Sequence, residues 1–280
     1  MKIILAKNIG FCPGVKRAVK IAKGAIKKYG PPIFMFGPLV HNEEVTKSFK
    51  ESGALEVSSI KSVPLGSRLI ISAHGIGPIS RKEIINKKIK IIDTTCPWVK
   101  RTHNFVKNNY LKGCEIILLG EKKHREVEGI KEWGSKVWIV SSLKEAEKTL
   151  KKIKSKKIAF VSQTTQKKKL FDEIVRLFRK KSPGIIIFDT ICRMTLLRQK
   201  EIKGLTEKSD IMVVVGSKNS ANSRRLYEIS KKINKKTYFV SSLRDLRKEW
   251  FGSAKKIGIS SGASAPPEFV QKIRKRIESL

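Results

Sequence analysis

The most constraining feature of this sequence is one order of landmarks that recurs three times along the chain. The first landmark is a cysteine where an apolar, strand-like run passes into a helical pattern, and it occurs at Cys12, Cys96 and Cys192. Proline follows Cys12 and Cys96 directly, and proline is favoured in the first turn of a helix. A repeat of this kind predicts three related structural units rather than three unrelated domains.

Further landmarks follow each cysteine in the same order. An apolar run ends in a glycine and a polar loop, a Ser-Ser pair comes next, and a second apolar run ends in small polar residues. The glycines are Gly37, Gly120 and Gly216. Strand-like runs that alternate with amphipathic helical stretches predict an α/β fold with mostly parallel sheets. The residues after Cys192 predict a helix that ends near Arg198 and Gln199. The residues after Cys12 predict a helix with an apolar stripe from Val15 to Tyr29.

Composition places the chain among ordinary globular proteins. Of its 280 residues 40% are hydrophobic and 7% aromatic, and no apolar run reaches the ~18 residues that a membrane helix needs. The first residues pass directly into the Cys12 stretch, so we expect a cytoplasmic protein without a leader. The net charge of +37 suggests a polyanionic partner, but the lysines are spread along the whole chain, which favours a general compositional bias.

The three repeated cysteines predict a metal centre. A helix N-terminus favours a thiolate, and three thiolates on one axis suit a cuboidal iron–sulfur cluster with one iron left without a protein ligand. A zinc site of three cysteines and a histidine is the alternative, although structural zinc prefers four fixed ligands. Cys114 precedes an apolar strand and is interpreted as a small buried hydrophobe.

We therefore expect three small α/β lobes packed around a common pseudo-threefold axis. The predicted lobes span 1–95, 96–191 and 192–280. The N-terminal strand is expected to pack with the third lobe.

The polar loops after the strands predict an anion site. Loops between a strand and a helix present backbone N–H groups to phosphates, and histidine and hydroxyl side chains add donors. The residues that these loops bring to comparable strand ends are His41, His74, His124, Thr164, Ser220, Asn222 and Ser264. They would surround a phosphate or a diphosphate. His103, on the helix after Cys96, is assigned no direct role.

Glu126 lies two residues after His124, where a carboxylate among anion-binding groups is electrostatically odd. A carboxyl group there makes sense as a proton donor if partial burial raises its pKa. A solvated surface glutamate is the alternative.

These residues closely resemble the LytB family of 4-hydroxy-3-methylbut-2-enyl diphosphate reductases, over essentially the whole chain. The motifs that carry the resemblance are Gly10–Ala18, Gly37–Asn42, Ser72–Gly75, Asp93–Pro97, His124–Val127, Gln163–Thr165, Asp189–Cys192, Gly216–Ser220 and Gly262–Pro266. Each motif alone is weak, but the complete ordered set is very specific.

The resemblance implies a trefoil of three α/β lobes packed around a central [4Fe-4S] iron–sulfur cluster, with Cys12, Cys96 and Cys192 as ligands. It implies a proton relay through Glu126 and Thr164. The substrate diphosphate would be held by His41, His74, His124, Ser220, Asn222 and Ser264. It also implies a two-electron reductive dehydroxylation that yields isopentenyl and dimethylallyl diphosphate, the last step of the non-mevalonate isoprenoid pathway. Electrons would come from a ferredoxin or a flavodoxin, and the chain would act as a monomer or homodimer without nucleic acid or membrane.

Two positions depart from the family pattern. Ala221 stands where many members have a second small polar residue, which removes one diphosphate hydrogen bond worth about 1 kcal/mol. Met194 replaces a small residue before Thr195, so the role of Thr195 stays open.

Two other functions remain as alternatives at this point. A basic iron–sulfur protein that binds nucleic acid would explain the charge, but no aromatic stacking platform accompanies the basic residues. A hydro-lyase with an open iron would need no external electrons.

Overall fold

The computed structural model describes all residues from Met1 to Leu280, and strands and helices alternate along the chain. The strands are β1 (Lys2–Leu5), β2 (Ile33–Phe36), β3 (Ala54–Val57), β4 (Arg68–Ile71), β5 (Lys90–Asp93), β6 (Glu115–Leu119), β7 (Val137–Val140), β8 (Ile158–Ser162), β9 (Ile186–Ile187), β10 (Ile211–Val215), β11 (Thr237–Val240) and β12 (Lys256–Ser261). The helices are α1 (Pro13–Tyr29), α2 (Glu43–Glu51), α3 (Pro78–Asn86), α4 (Pro97–Leu111), α5 (Arg125–Lys131), α6 (Leu143–Lys152), α7 (Lys168–Lys181), α8 (Arg193–Glu207), α9 (Ala221–Ile233) and α10 (Pro267–Glu278).

The strands form three four-stranded sheets, and every strand pair in them is parallel. The strand orders are β1-β12-β10-β11, β5-β4-β2-β3 and β9-β8-β6-β7. Each order begins with the strand that precedes a repeated cysteine in the sequence and then runs through strands in equivalent positions. The predicted α/β fold of three lobes with parallel sheets is confirmed.

The N-terminal strand belongs to the sheet built from the C-terminal part of the chain. β1 pairs with β12, with Lys2 opposite Lys256 and Leu5 opposite Ile259. By internal contacts the chain forms two compact units. The first unit comprises Met1–Lys16, Val40–Glu51 and Arg193–Leu280, and it contains this sheet. The second unit comprises Arg17–Leu39 and Ser52–Cys192, and it contains the other two.

The inner strands β8 and β10 are buried on both faces. Every residue of these two strands is buried, and apart from Ser162 at the end of β8 all are apolar, as expected for parallel strands covered by helices on both sides. The outer strand β3 instead exposes Leu55 and Glu56. Burial on both faces explains why the sequence shows apolar runs rather than alternation in these strands.

The Ser-Ser pairs mark the starts of helical turns. Ser142 precedes α6, and its Oγ accepts the N–H of Glu145 at 3.2 Å. Ser59 and Ser242 precede short 3-10 turns in the corresponding places of the other two lobes. A serine at this position satisfies an N–H that the helix itself cannot pair.

Two helix predictions need correction. Tyr29, predicted in the apolar stripe of α1, is exposed, and the guanidinium of Arg68 lies 4.4 Å from the centre of its ring. The helix after Cys192 does not end near Arg198 but continues to Glu207, because Ile202 and Thr206 extend its buried face by two more turns. None of the ten helices combines the length and the apolar character that crossing a bilayer requires.

Candidate active site

The three repeated cysteines share one backbone interaction. The N–H of Cys12 donates to the carbonyl of Ala263, and that of Cys96 donates to the carbonyl of Ala73, each at 3.0 Å. The N–H of Cys192 donates to the carbonyl of Thr164, also at 3.0 Å. In each case the acceptor stands two residues after the end of a strand, namely β12, β4 or β8. Each cysteine therefore has the same local position relative to its own sheet.

The environment of these cysteines suits metal-binding thiolates. Cys12, Cys96 and Cys192 are half-buried, and no disulfide involves them. The N–H of Val15, in the first turn of α1, points to Cys12 Sγ at 3.4 Å, which is the kind of outer hydrogen bond that supports a metal ligand. Cys114 differs, because it is only 4% exposed and packs in an apolar cluster, as predicted.

The loops before Cys96 and Cys192 are held by a matched pair of side-chain interactions. The Oδ1 atoms of Asp93 and Asp189 accept the N–H groups of Thr95 and Ile191, at 2.9 and 3.1 Å. Burial opposes ionisation of Asp93, but hydrogen bonds from Thr95 and the nearby Lys100 ammonium hold its pKa well below the usual range. No role was predicted for these aspartates, although the repeated Asp-Thr before two of the cysteines was an available signal in the sequence.

Two of the predicted histidines meet within the second unit. The rings of His74 and His124 contact edge to face with centroids 5.3 Å apart, and Ser72 Oγ lies 3.4 Å from His74 Nδ1. His124 precedes α5, where its Nδ1 accepts the N–H of Glu126 at 3.2 Å. In the neutral ring the proton therefore resides on Nε2, which makes His124 a donor toward an anion.

Glu126 is buried and bonded to Thr164 through both carboxylate oxygens. Its side chain accepts the N–H of Thr164 at 2.7 Å and the Thr164 hydroxyl at 2.8 Å, and the residue is 2% exposed. Burial raises the pKa of Glu126 to about 7, against the two hydrogen bonds from Thr164, which favour the ionised form. Because the Thr164 carbonyl also accepts the N–H of Cys192, one set of contacts joins a repeated cysteine, a hydroxyl and a titratable carboxyl group.

The first unit holds the other predicted anion-binding residues. Ser264 Oγ donates to the carbonyl of His41 at 2.9 Å, so these two residues are adjacent. Ser220 precedes α9, and its Oγ accepts the N–H of Ser223 at 3.3 Å. Asn222 is 4% exposed, and neither polar atom of its amide has a hydrogen-bond partner. Buried amides are almost always paired, so Asn222 indicates a place for a polar ligand.

The first loop differs from the other two by one residue. His124 and Ser220 stand immediately before α5 and α9, but Asn42 rather than His41 stands immediately before α2. The Oδ1 of Asn42 accepts the N–H of Val45 at 3.1 Å, which is the capping interaction that Ser220 makes at α9. The spacing after Gly37 predicts that His41 is equivalent to His124 and Ser220. The residue in the equivalent position is instead Asn42, one residue later.

His103 was assigned no direct role in the site, and its environment is that of a core residue. It is buried on α4 beside Trp133, with ring centroids 5.6 Å apart. Burial lowers the pKa of His103 to about 4, with a further contribution from the positive charge of Arg81. A neutral core histidine fits this environment.

The sequence profile of the family described as LytB protein matches residues 3–278. The chain belongs to the LytB protein family. A LytB relative from Aquifex aeolicus, named 4-hydroxy-3-methylbut-2-enyl diphosphate reductase, is 36% identical over 99% of this chain and 96% of its own length. A protein of the same name from Campylobacter jejuni is 41% identical over 100% of this chain and 99% of its own length.

Solved structures agree with the assignment to the LytB family. The E-1-hydroxy-2-methyl-but-2-enyl-4-diphosphate reductase from Plasmodium falciparum superposes with a TM-score of 0.93 at 32% identity, over 98% of this chain and 87% of the other. A second structure is described as that of (E)-4-hydroxy-3-methyl-but-2-enyl diphosphate reductase, the terminal enzyme of the non-mevalonate pathway. It superposes with a TM-score of 0.72 at 36% identity, over 100% of this chain and 99% of its own. The resemblance inferred from the sequence motifs is confirmed.

Proposed function

We propose that this LytB protein is an oxidoreductase that converts (E)-4-hydroxy-3-methylbut-2-enyl diphosphate into isopentenyl diphosphate and dimethylallyl diphosphate. The substrate takes up two electrons and two protons. One proton leaves with the hydroxyl group as water, and the other adds to a carbon atom of the remaining allyl fragment. The observation that carries the proposal is the buried Glu126, which is bonded to Thr164 next to the backbone of Cys192. A reaction that expels hydroxide needs such a protonated group at neutral pH.

Cys12, Cys96 and Cys192 are the proposed ligands of the iron–sulfur cofactor of this family, a [4Fe-4S] cluster. Their half-buried positions at the starts of three helices and their shared backbone contact support this assignment. When bound, the cluster would supply electrons and one iron without a protein ligand. The chain's own contribution is to hold the three thiolates in place, through the N–H bonds to Ala263, Ala73 and Thr164.

The diphosphate would be held by histidine, hydroxyl and amide donors. The unpaired amide of Asn222 and the Nε2 proton of His124 are the donors that the geometry supports most directly. The complete proposed set is His41, His74, His124, Thr164, Ser220, Asn222 and Ser264.

Glu126 is the proposed proton donor, and the Thr164 hydroxyl is the proposed carrier between Glu126 and the substrate hydroxyl. A hydroxyl group can donate and accept at once, so Thr164 can pass a proton on while it remains bonded to the carboxyl group. Burial keeps Glu126 partly protonated near pH 7, where an exposed glutamate would be ionised.

A ferredoxin or a flavodoxin is the proposed electron donor. Both are small acidic carriers, and the net charge of +37 would favour their approach.

The direct test uses anaerobically reconstituted protein, a chemically reduced donor and the allylic diphosphate, with both products separated and quantified. Consumption that depends on the reduced donor supports a reductase and excludes a hydro-lyase, which needs no electrons. An intact cluster with no consumption of substrate would contradict the proposed function.

Asn222→Ala is expected to raise KM about 10- to 100-fold, because a hydrogen bond to a charged group contributes roughly 1.5–3 kcal/mol. Asn219→Ala is the matched control, since Asn219 lies in the loop just before α9, is exposed and donates to Glu43 at 3.2 Å. Steady-state kinetics at constant cluster content distinguishes the two variants. Equal KM values for Asn222→Ala and wild type would remove Asn222 from the diphosphate site.

The turnover number is expected to fall as the pH rises through about 7. The proposed donor form of Glu126 is the protonated one, and its pKa of about 7 means that this form declines roughly tenfold per pH unit above that value. Burial also makes folding prefer the protonated carboxyl group, so its contribution to stability is complete below pH 4.5 and is lost as the pH rises through about 7. The expected fall in kcat is tested by a pH profile in which cluster content is checked at each pH. A kcat that stays constant up to about pH 9 would contradict this expectation.

A further inference from the structure

A buried arginine is hydrogen-bonded to the loop that carries Cys12. Arg198 lies on α8 in the first unit and is 2% exposed, which makes it one of the largest fully buried side chains of the protein. Its Nη1 donates to the carbonyl of Ser261 at 2.8 Å, and its Nη2 donates to the carbonyl of Gly10 at 2.7 Å. The guanidinium therefore joins the end of β12 to the loop two residues before Cys12.

Both backbone polar groups of Gly10 take part in this arrangement. The N–H of Gly10 donates to Ser261 Oγ at 2.8 Å, while its carbonyl accepts from Arg198. Gly10 has a φ of +76°, and a side chain there would come within 3.0 Å of Pro267. The backbone from Gly10 to Cys12 is thus held at three points: Ser261, Arg198 and the Ala263 carbonyl that accepts from Cys12.

Arg198 also places a positive charge in the interior beside this loop. A guanidinium does not lose its proton in proteins, so this interior site stays positive at every accessible pH. Low dielectric surroundings extend the reach of that charge. A two-residue chain step spans at most about 7 Å, so the positive charge lies close to the Cys12 backbone.

We propose that Arg198 is a positioning residue that also sets the reduction potential of the cofactor held by Cys12. The inference rests on the proposed iron–sulfur function. Each electron that such a centre accepts adds one negative charge, and a fixed buried cation stabilises the more negative, reduced state. Arg198 therefore raises the reduction potential, which makes electron uptake from the donor more favourable.

A pair of variants separates the charge of Arg198 from its shape. Arg198→Lys retains the positive charge and loses the forked contact with the two carbonyls. Arg198→Gln loses the charge and retains an amide that can donate to one carbonyl. Lys200→Gln, at an exposed position of the same helix, is the control for removal of one charge at the surface.

The readout is the midpoint potential of the reconstituted protein, measured by an anaerobic redox titration followed by electron paramagnetic resonance. We expect a lower potential in Arg198→Gln, and potentials near that of wild type in Arg198→Lys and Lys200→Gln. Equal potentials in Arg198→Gln and wild type, or equal shifts in both Arg198 variants, would overturn the charge role.

Two further results keep the test decisive. If Arg198→Gln does not fold, Arg198→Lys alone decides, because a large fall in its potential would show that charge is not what matters. If wild-type protein takes up no cluster at all, the proposed function itself fails, and this outcome is distinct from a cluster whose potential is insensitive to Arg198.

Discussion

Cys96→Ser is expected to abolish turnover and to remove most of the iron that the wild-type protein binds. Replacing a residue that hydrogen-bonds to a metal ligand typically reduces metal affinity about 10- to 100-fold, and loss of the ligand itself should have a larger effect. Because Cys12, Cys96 and Cys192 occupy the same local position in three sheets, serine at any of the three should have the same result. The loss of iron is measured by iron content and visible absorption after anaerobic reconstitution.

Cys114→Ala is the matched control for these variants. Cys114 is the fourth cysteine, is buried in an apolar cluster and lies away from the helix starts. Its replacement should leave iron content and turnover unchanged, with a stability loss of about 1 kcal/mol from the lost packing. Retention of the wild-type iron content by Cys96→Ser, or loss of iron by Cys114→Ala, would refute the ligand assignment.

Glu126→Gln is expected to lower kcat about 100- to 10,000-fold, the usual contribution of a positioned proton donor. The amide keeps the size of the carboxyl group and can still accept from Thr164, but it cannot deliver a proton. Substrate affinity should change little, since Thr164, the proposed diphosphate donor that Glu126 contacts, still finds a hydrogen-bond acceptor in the glutamine. Single-turnover kinetics and equilibrium binding of the substrate separate the two effects.

Glu128→Gln provides the comparison for Glu126→Gln. Glu128 lies two residues further on α5 and is exposed, so removal of its charge alters the local field without touching the buried carboxyl group. Its kcat should stay within about twofold of wild type, as is usual for exposed substitutions. A normal kcat in Glu126→Gln would rule out its proton role, whereas equal losses in both variants would point to a general charge effect.

The repeat of cysteine, glycine and Ser-Ser landmarks was sufficient to predict three equivalent α/β lobes with parallel sheets. These landmarks are local features: a glycine after a strand, a serine before a helical turn, and a cysteine at a helix start. Each depends on the backbone hydrogen bonding of its own segment, so it can be recognised without knowledge of the neighbours. Ser142 at the start of α6 and Gly120 after β6 illustrate such features.

Helix ends and exposure were predicted less well. Arg198 and Gln199 look like the polar end of a helix, yet both are buried, and α8 continues for two more turns. Tyr29 fits an apolar stripe by spacing but lies in solvent under Arg68. In each case the deciding factor was what packs against the helix, which spacing along the helix does not reveal.

The sequence by itself determined the family, the repeated lobes and the candidate cysteines, histidines and hydroxyl residues, because ordered motifs and periodicity are properties of the chain. Only the tertiary structure decided the chemical state of those residues. Thr164 and Glu126 are 38 residues apart in the chain, and burial around this pair is what raises the pKa of Glu126 to about 7. The absence of partners for the Asn222 amide and the burial of Arg198 beside the Gly10 carbonyl likewise arise from packing between distant segments. Desolvation depends on every neighbour in space, and local sequence patterns do not specify those neighbours.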